Sequence, residues 1–281
     1  KDLVEILRAI TEAKQAEAIV LTNAILLKSQ WAQDVRTLRR DKIRFQVSLD
    51  GATAQINDRI RGVGSFEKTL AGLHWLNDQG FETSLTTVVT RSNLKELTAL
   101  TRLCRQAGTR SQHLMWLHRR GRVLEGNGNS DGFPSVEELL EAVWEVRRVA
   151  AEEGVLFDNW ESIKRRANGR PGVKYDLGNA CWDSLCVYSD GRVYPSAATA
   201  NFRPLALGSV GGESSLRRVW ERSPIAKAFR QASVVEKSEL ADEPFRYLTG
   251  GGDIEHSFWF NLNGESASSA CAPERLREIL R

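Results

Sequence analysis

Apolar residues return at two different spacings along the first half of this chain. Leu3, Ile6, Leu7 and Ile10 fall three and four apart, the spacing of one helix face. Ala18-Ile19-Val20-Leu21 then runs apolar without a break and stops at the polar pair Thr22-Asn23, which reads as a short buried strand. Helical spacing resumes over Leu27–Arg40, with Trp31, Val35 and Leu38 on one face, and a strand is predicted over Ile43–Leu49, closing on Ser48-Leu49-Asp50-Gly51. Ser65 is placed to cap a helix running to about Asn77. Thr83–Val89 is β-branched and strand-like, closed by Thr90-Arg91-Ser92-Asn93; a helix over Leu94–Gln106 and a strand over His113–Leu117 follow.

Each of these strands is followed or preceded by a helix, the mark of a parallel sheet with covered faces, either a barrel or a doubly wound sheet. In both architectures ligands sit beyond the carboxyl ends of the strands. The polar residues at those ends are Thr22-Asn23, Ser48 with Asp50-Gly51, Thr90 with Ser92-Asn93, and His118-Arg119. They form one shared polar site, or they are polar because strand ends meet water; the pattern leaves both readings open.

Beyond them, Arg119–Phe133 is rich in Gly, Asn, Ser and Asp and is too long for a simple connection, which points to a functional or mobile loop. Ser135 caps a strong helix to about Glu153, Val155–Phe157 is a short strand and Trp160–Ala167 a short helix. Asn168-Gly169-Arg170-Pro171-Gly172 is the best linker in the chain. The texture then changes. Leu185–Tyr194 reads as a hairpin across Ser189-Asp190-Gly191-Arg192, and short helices are predicted at Leu216–Arg222 and Ile225–Ala232.

Composition narrows the classes. A chain of 281 residues suits one large domain or a medium one with an appendage; 41% hydrophobic and 27% charged residues exclude collagen-like, coiled-coil and disordered readings. A net charge of +3 argues against nucleic-acid or anionic-membrane partners, and no apolar stretch approaches the roughly 20 residues of a membrane span. The four cysteines, Cys104, Cys181, Cys186 and Cys271, are too scattered for a secreted disulfide scaffold, so a reducing, cytoplasmic setting is expected. Residue 1 is Lys rather than Met and stands just before an amphipathic run, as though an upstream segment were missing; no signal peptide is expected.

Val47-Ser48-Leu49-Asp50-Gly51, Asn57-Asp58-Arg59-Ile60-Arg61-Gly62 with Ser65-Phe66, and Thr87-Val88-Val89-Thr90-Arg91-Ser92-Asn93-Leu94 together resemble the middle of a radical S-adenosylmethionine (SAM) enzyme of the SPASM peptide-maturase group. Cys181, Ser189–Pro195, Leu207-Gly208, Leu216–Trp220 and Phe245–Gly252 are similar to the SPASM extension. The resemblance implies an α/β fold: a partial (β/α)6, TIM-barrel-like radical SAM barrel over residues 1–133 (strands three to six), a bridging helix, short strand and linker over 134–172, and a small irregular SPASM-like domain over 173–281. It implies SAM and a [4Fe–4S] cluster as cofactors, a 5′-deoxyadenosyl radical that abstracts hydrogen, a peptide or protein substrate, such as one made on the ribosome, and a protein reductant. On the same basis Ser48 and Arg61 hold the methionine carboxylate and amine of SAM, Asn23 and Asp50 are nearby polar contacts, and Leu117 packs near the adenine. Read from the residues, Arg61 could equally pair with Asp58 or Glu67, and Asp50-Gly51 could be only a turn.

The resemblance also implies a CxxxCxxC motif on the loop after a first strand and a Gly-Gly-Glu at the end of a second; no CxxxCxxC is in this sequence, and no Gly-Gly-Glu stands ahead of the strand predicted at Ala18. The expectation is therefore a barrel without its first two strands, and a chain that by itself does not cleave SAM. In the extension, Ser196 and Thr249 stand where the resemblance implies Cys. Cys181, Cys186 and Cys271 remain as auxiliary-cluster ligands or free thiols, and Cys104 as a core residue. Asp253 and His256 are weak acid/base candidates, His256 beside Phe258-Trp259 reading equally as structural; Gly250–Gly252 is a poor phosphate cradle. Two functions follow: part of a peptide-modifying radical SAM enzyme, or a degenerate, non-catalytic scaffold that binds a peptide or partner.

Overall fold

In this computed structural model the described residues are 2–13, 16–27, 31–117, 132–167, 180–211, 215–231 and 242. The chain divides into two compact units, residues 1–117 with 125–165, and residues 118–124 with 166–281.

The first unit is built on a five-stranded sheet of β1 (Ala18–Thr22), β2 (Ile43–Ser48), β3 (Glu82–Val89), β4 (Ser111–Trp116) and β5 (Leu156–Phe157), in that order and parallel throughout. Side chains alternate between its faces. Ile43, Phe45 and Val47 of β2, Leu85 and Val89 of β3 and Leu114 of β4 are buried in one core with Leu73 and Leu76 of α4 (Ser65–Asp78), Leu97 and Leu100 of α5 (Leu97–Gln106), and Val146 and Ala150 of α6 (Val136–Glu153). Each such side chain contributes about 1.5–3 kcal/mol by leaving water, and the Phe45 and Phe81 rings meet edge to face at 5.1 Å. Gly72 is required where α4 crosses the end of β1, because a Cβ there would overlap the Ala24 carbonyl.

The opposite face of the sheet reads differently. Register sets Leu21, Gln46, Ser84, Ser111 and Leu156 in one row across it, and Ser48, Thr86 and His113 in the next. Small hydroxyls hold the middle of this face, while Ile19 (59% exposed) and Leu21 (68%) stand on β1, a sheet edge among the described residues. Helix α1 (Leu3–Glu12) buries Val4 and Leu7 yet leaves Leu3, Ile6 and Ile10 exposed along one stripe.

Several elements differ from the sequence reading. The helix expected over Leu27–Arg40 is a single short one, α2 (Ala32–Arg36), although Val35 and Leu38 are buried as expected. The helix α3 (Ala54–Arg61) was not expected, because it lacks an apolar stripe: its buried residue is Asn57. Ser65 does not cap α4. The N-cap is Gly64 at φ +74°, and Asp58 of α3 serves the helix start instead, accepting from the Gly64 N–H (2.6 Å), the Phe66 N–H (2.8 Å) and the Ser65 hydroxyl (3.0 Å). Ser135 does cap α6, in a reciprocal box with Glu138. Helix α7 (Asp158–Ala167) follows β5 directly.

The second unit holds an antiparallel sheet of β6 (Cys186–Val187), β7 (Arg192–Tyr194) and β8 (Gly208–Ser209). The expected hairpin is present, and its turn needs Gly191 at φ +80°. Val193, Leu207 and Cys181 form a small core with Val219 of α8 (Leu216–Arg222) and Ala226 and Phe229 of α9 (Pro224–Gln231). The linker proposed at residues 168–172 lies outside the described residues.

Candidate functional site

The chain leaves β2 through Leu49-Asp50-Gly51, and the polar groups of Leu49 and Asp50 are tied down. The Leu49 N–H donates to the Thr86 carbonyl (3.0 Å) and the Leu49 carbonyl accepts from the Thr87 hydroxyl (2.8 Å). The Asp50 N–H donates to Asn57 Oδ1 (3.0 Å), and Asn93 Nδ2 donates to the Asp50 carbonyl (2.9 Å). Asp50 Oδ1 accepts from the Val88 N–H (2.8 Å), so a carboxylate carries the β2–β3 ladder on past the last paired backbone residues. Gly51 is needed because a Cβ there would meet Asn57 N at 2.5 Å.

The other oxygen of Asp50 faces Arg61, with Nε 2.7 Å from Oδ2. The Arg61 Nε is buried and makes no aligned hydrogen bond, so the contact is an ion pair. Asp50 is nearly inaccessible, at 4% side-chain exposure, whereas Arg61 keeps 25%. The carboxylate thus holds the guanidinium from behind and leaves part of it facing outward, as bidentate capture of a further carboxylate requires. The alternative partners of Arg61 are otherwise occupied or distant in role: Asp58 serves the α4 start, where the Phe66 N–H foremost, with the Gly64 N–H, holds its carboxyl below the ordinary value, and Glu67 is exposed.

Ser48, two residues before Asp50, is half-buried on the open face. Asn23 follows β1, the neighbouring strand, about 4.8 Å across; its Oδ1 accepts from the Ile25 N–H (3.2 Å) and its carbonyl from the Thr69 hydroxyl (3.0 Å). Leu117 follows β4, two strands from β2 on the other side, and lies beside Gly132, where the chain returns to bond the Arg91 N–H (3.1 Å). The structure therefore brings Asp50 and Arg61 into contact, with Ser48 at the end of the strand that leads to Asp50, while Asn23 and Leu117 follow β1 and β4 on either side.

Sequence reasoning missed other polar groups here. His113 Nδ1 lies 3.0 Å from Asp158 Oδ2, and Asn159 fixes the start of α7 by bonding both the N–H and the carbonyl of Leu114 at 2.8 Å. Nothing in local spacing marks a pair 45 residues apart. Thr86 stands between Ser48 and His113 in register, with a buried hydroxyl that has no hydrogen-bond partner among the described residues. Glu96 receives the Ala52 N–H (2.8 Å) and the Thr53 hydroxyl (2.7 Å), tying the same turn to the β3–α5 connection.

The cysteines behave separately. Cys104 is fully buried on α5, and burial pushes its thiol up to about 12, which removes it as a thiolate ligand. Cys181 is buried with φ +61°, its carbonyl accepting from Arg230 Nε (2.7 Å), and Cys186 is half-buried on β6 with its thiol raised by burial. Ser196 turns its side chain to the Ala198 N–H (3.1 Å), capping a 3-10 turn. Among the described residues no three His, Cys, Asp or Glu side chains gather as a metal site. Cys271, Asp253, Glu255, His256 and Gly250–Gly252 lie outside the described residues.

Residues 1–104 match the family described as the Radical SAM superfamily. This part of the chain belongs to the radical SAM superfamily. The chain is 39% identical over 195 residues to the mycofactocin maturase MftC of Mycolicibacterium smegmatis, covering 68% of this chain and 48% of that protein. It is 25% identical over 244 residues to the AdoMet-dependent heme synthase of Methanosarcina barkeri, covering 82% and 67%. It therefore spans about half to two thirds of the length of these curated relatives. Among solved structures, anSMEcpe with bound AdoMet and the Kp18Cys peptide is similar with a TM-score of 0.74 at 15% identity, over 99% of this chain and 77% of that one. Streptococcus suis SuiB bound to S-adenosylmethionine gives 0.68 at 16%, over 96% and 63%. The expected fold is thus found: an α/β radical SAM partial barrel, followed by a small antiparallel sheet.

Within this radical SAM portion, the Asp50–Arg61 pair and the half-buried Ser48 fit the amino-acid end of SAM, because a held guanidinium and a hydroxyl suit its carboxylate. The described residues do not fit a [4Fe–4S] cluster, since no set of ligands assembles among them.

Proposed function

We propose that this chain is the SAM-holding and substrate-facing part of a radical SAM enzyme that modifies a peptide. The observation that carries it is the Arg61 guanidinium, held by the buried Asp50 at the carboxyl ends of parallel strands and still partly open. Arg61 binds the carboxylate of SAM through its outward nitrogens, and Ser48 adds a hydrogen bond from the open face. Asn23 and Leu117 bound the site on either side, Leu117 against the adenine. When bound, SAM supplies the adenosyl group that this family uses for hydrogen abstraction. The 39% identity to a maturase and the fold shared with anSMEcpe and SuiB, both solved with a peptide bound, support a peptide substrate. A SPASM-like role for the second unit, with Cys181, Cys186 and Cys271 as auxiliary ligands, and a protein reductant belong to the same reading.

A second reading, chemistry on the way to heme, is favoured by the longer match to heme synthases, 82% of this chain. The higher identity to the maturase supports the peptide reading over it.

Equilibrium dialysis of SAM against the 281-residue chain tests the site. Saturable binding is expected, falling about tenfold or more in Arg61→Ala, the scale of a charge-assisted hydrogen bond. Ser48→Ala is expected to fall less. Unchanged binding in both variants would assign the chain to the scaffold reading instead.

A further inference from the structure

The Asp50–Arg61 pair does not stand on its own strand end; it is held from the β3–α5 connection. Asn93 is fully buried and spends its whole carboxamide there. Its Nδ2 donates to the Asp50 carbonyl and to the Val88 carbonyl, both at 2.9 Å, and its Oδ1 accepts from the Thr90 N–H at 2.8 Å. Val88 is also the residue whose N–H fixes Asp50 Oδ1. One side chain therefore fixes the backbone of Asp50 and the backbone that orients its carboxylate. The other Asp50 oxygen, the Oδ2 that faces Arg61, and with it the direction of Arg61, follows from that placement.

We propose that Asn93 is a positioning residue that acts through Asp50 to aim Arg61, so that preference for a ligand bearing an α-carboxylate depends on Asn93. A guanidinium makes strong paired bonds to a carboxylate only in a fixed plane and direction. A salt bridge with no such frame lets the guanidinium swing, and discrimination falls before general binding does. The inference rests on the reading that Arg61 binds the carboxylate of SAM. The carboxamide of Asn93 is taken up by Asp50, Val88 and Thr90 backbone groups, so its effect is on selectivity.

The test compares SAM with decarboxylated SAM, which keeps the adenosyl group and sulfonium and lacks only the carboxylate. Affinities for both are measured by equilibrium dialysis on the full chain, alongside thermal melts. The unmodified chain is expected to prefer SAM by about tenfold or more. In Asn93→Ala that ratio is expected to fall below about threefold, with affinity for decarboxylated SAM nearly unchanged, as in an Arg61→Ala control. Asn93→Ser, which can still receive the Thr90 N–H but is too short for the Asp50 carbonyl, is expected to do the same and serves if the alanine variant does not fold. A proportionate loss of both ligands, or a ratio that survives both substitutions, would overturn the role of Asn93. No preference in the unmodified chain would remove the Arg61 reading itself, and the inference with it, an outcome distinct from the other two.

Discussion

Thr86 has a hydroxyl sealed from water without a hydrogen-bond partner among the described residues, between Ser48 and His113 in the strand register. Leaving such a group unpaired costs about 1–3 kcal/mol, so Thr86→Val, which keeps the shape, is expected to stabilise the ligand-free chain. The midpoint of a thermal melt should rise by roughly 2–4 °C per kcal/mol for a unit of this size; a fall would show that the hydroxyl is satisfied in solution. At this scale the sequence marked Ser48, Asp50 and Arg61 through the motif they share, and it had Asn93 among the strand-end polar residues. It did not show what holds them. The bonds from Asn93 to Asp50 and from Glu96 to Ala52 span 43 and 44 residues, and no local spacing encodes a contact of that separation.

Helix α4 begins without a side-chain cap of its own and takes one from α3. The Asp58 carboxylate accepts backbone N–H groups from Phe66 and Gly64, which favours its charged form and lowers its pKa in the folded chain. The sign follows from that direction. A carboxyl whose folded pKa is depressed contributes stability above its unfolded value, near 3.9, and loses it as pH falls through the folded value. Urea midpoints of the unmodified chain and of Asp58→Asn should therefore differ by a steady amount from about pH 7 to pH 5 and converge below about pH 4. A gap that persists at low pH would assign the effect to packing rather than charge. Periodicity predicted the buried strands well, because Ile43, Phe45 and Val47 alternate as a half-buried strand must. It passed over α3, whose buried position is the polar Asn57, and extended α2, where Leu27 and Leu38 pack from outside the short helix that carries Val35.

At the scale of the whole molecule, the apolar stripe of Leu3, Ile6 and Ile10 and the exposed Ile19 and Leu21 lie on consecutive elements at one edge of the sheet. An edge strand with apolar side chains and open backbone groups is a template for further pairing. The 281-residue chain by itself is expected to self-associate in a concentration-dependent way, and Ile6→Glu with Ile10→Glu to reduce this. Light scattering after gel filtration reads the outcome; a monodisperse monomer across a tenfold concentration range would show that this edge is closed in solution. Among the described residues no helix is long and apolar enough to cross a membrane.

By itself, the sequence determined the parallel α/β class, the positions of the main strands and the candidate residues at their carboxyl ends, because these depend on side-chain alternation and on short motifs. Tertiary structure alone decided that Asp50 backs Arg61, that Asn93 and Glu96 frame the turn carrying Asp50, and that His113 meets Asp158. Those outcomes depend on which loops the sheet order brings together, and neighbouring strand ends about 4.8 Å apart in space, such as Ser48 and Thr86, are 38 residues apart in the chain.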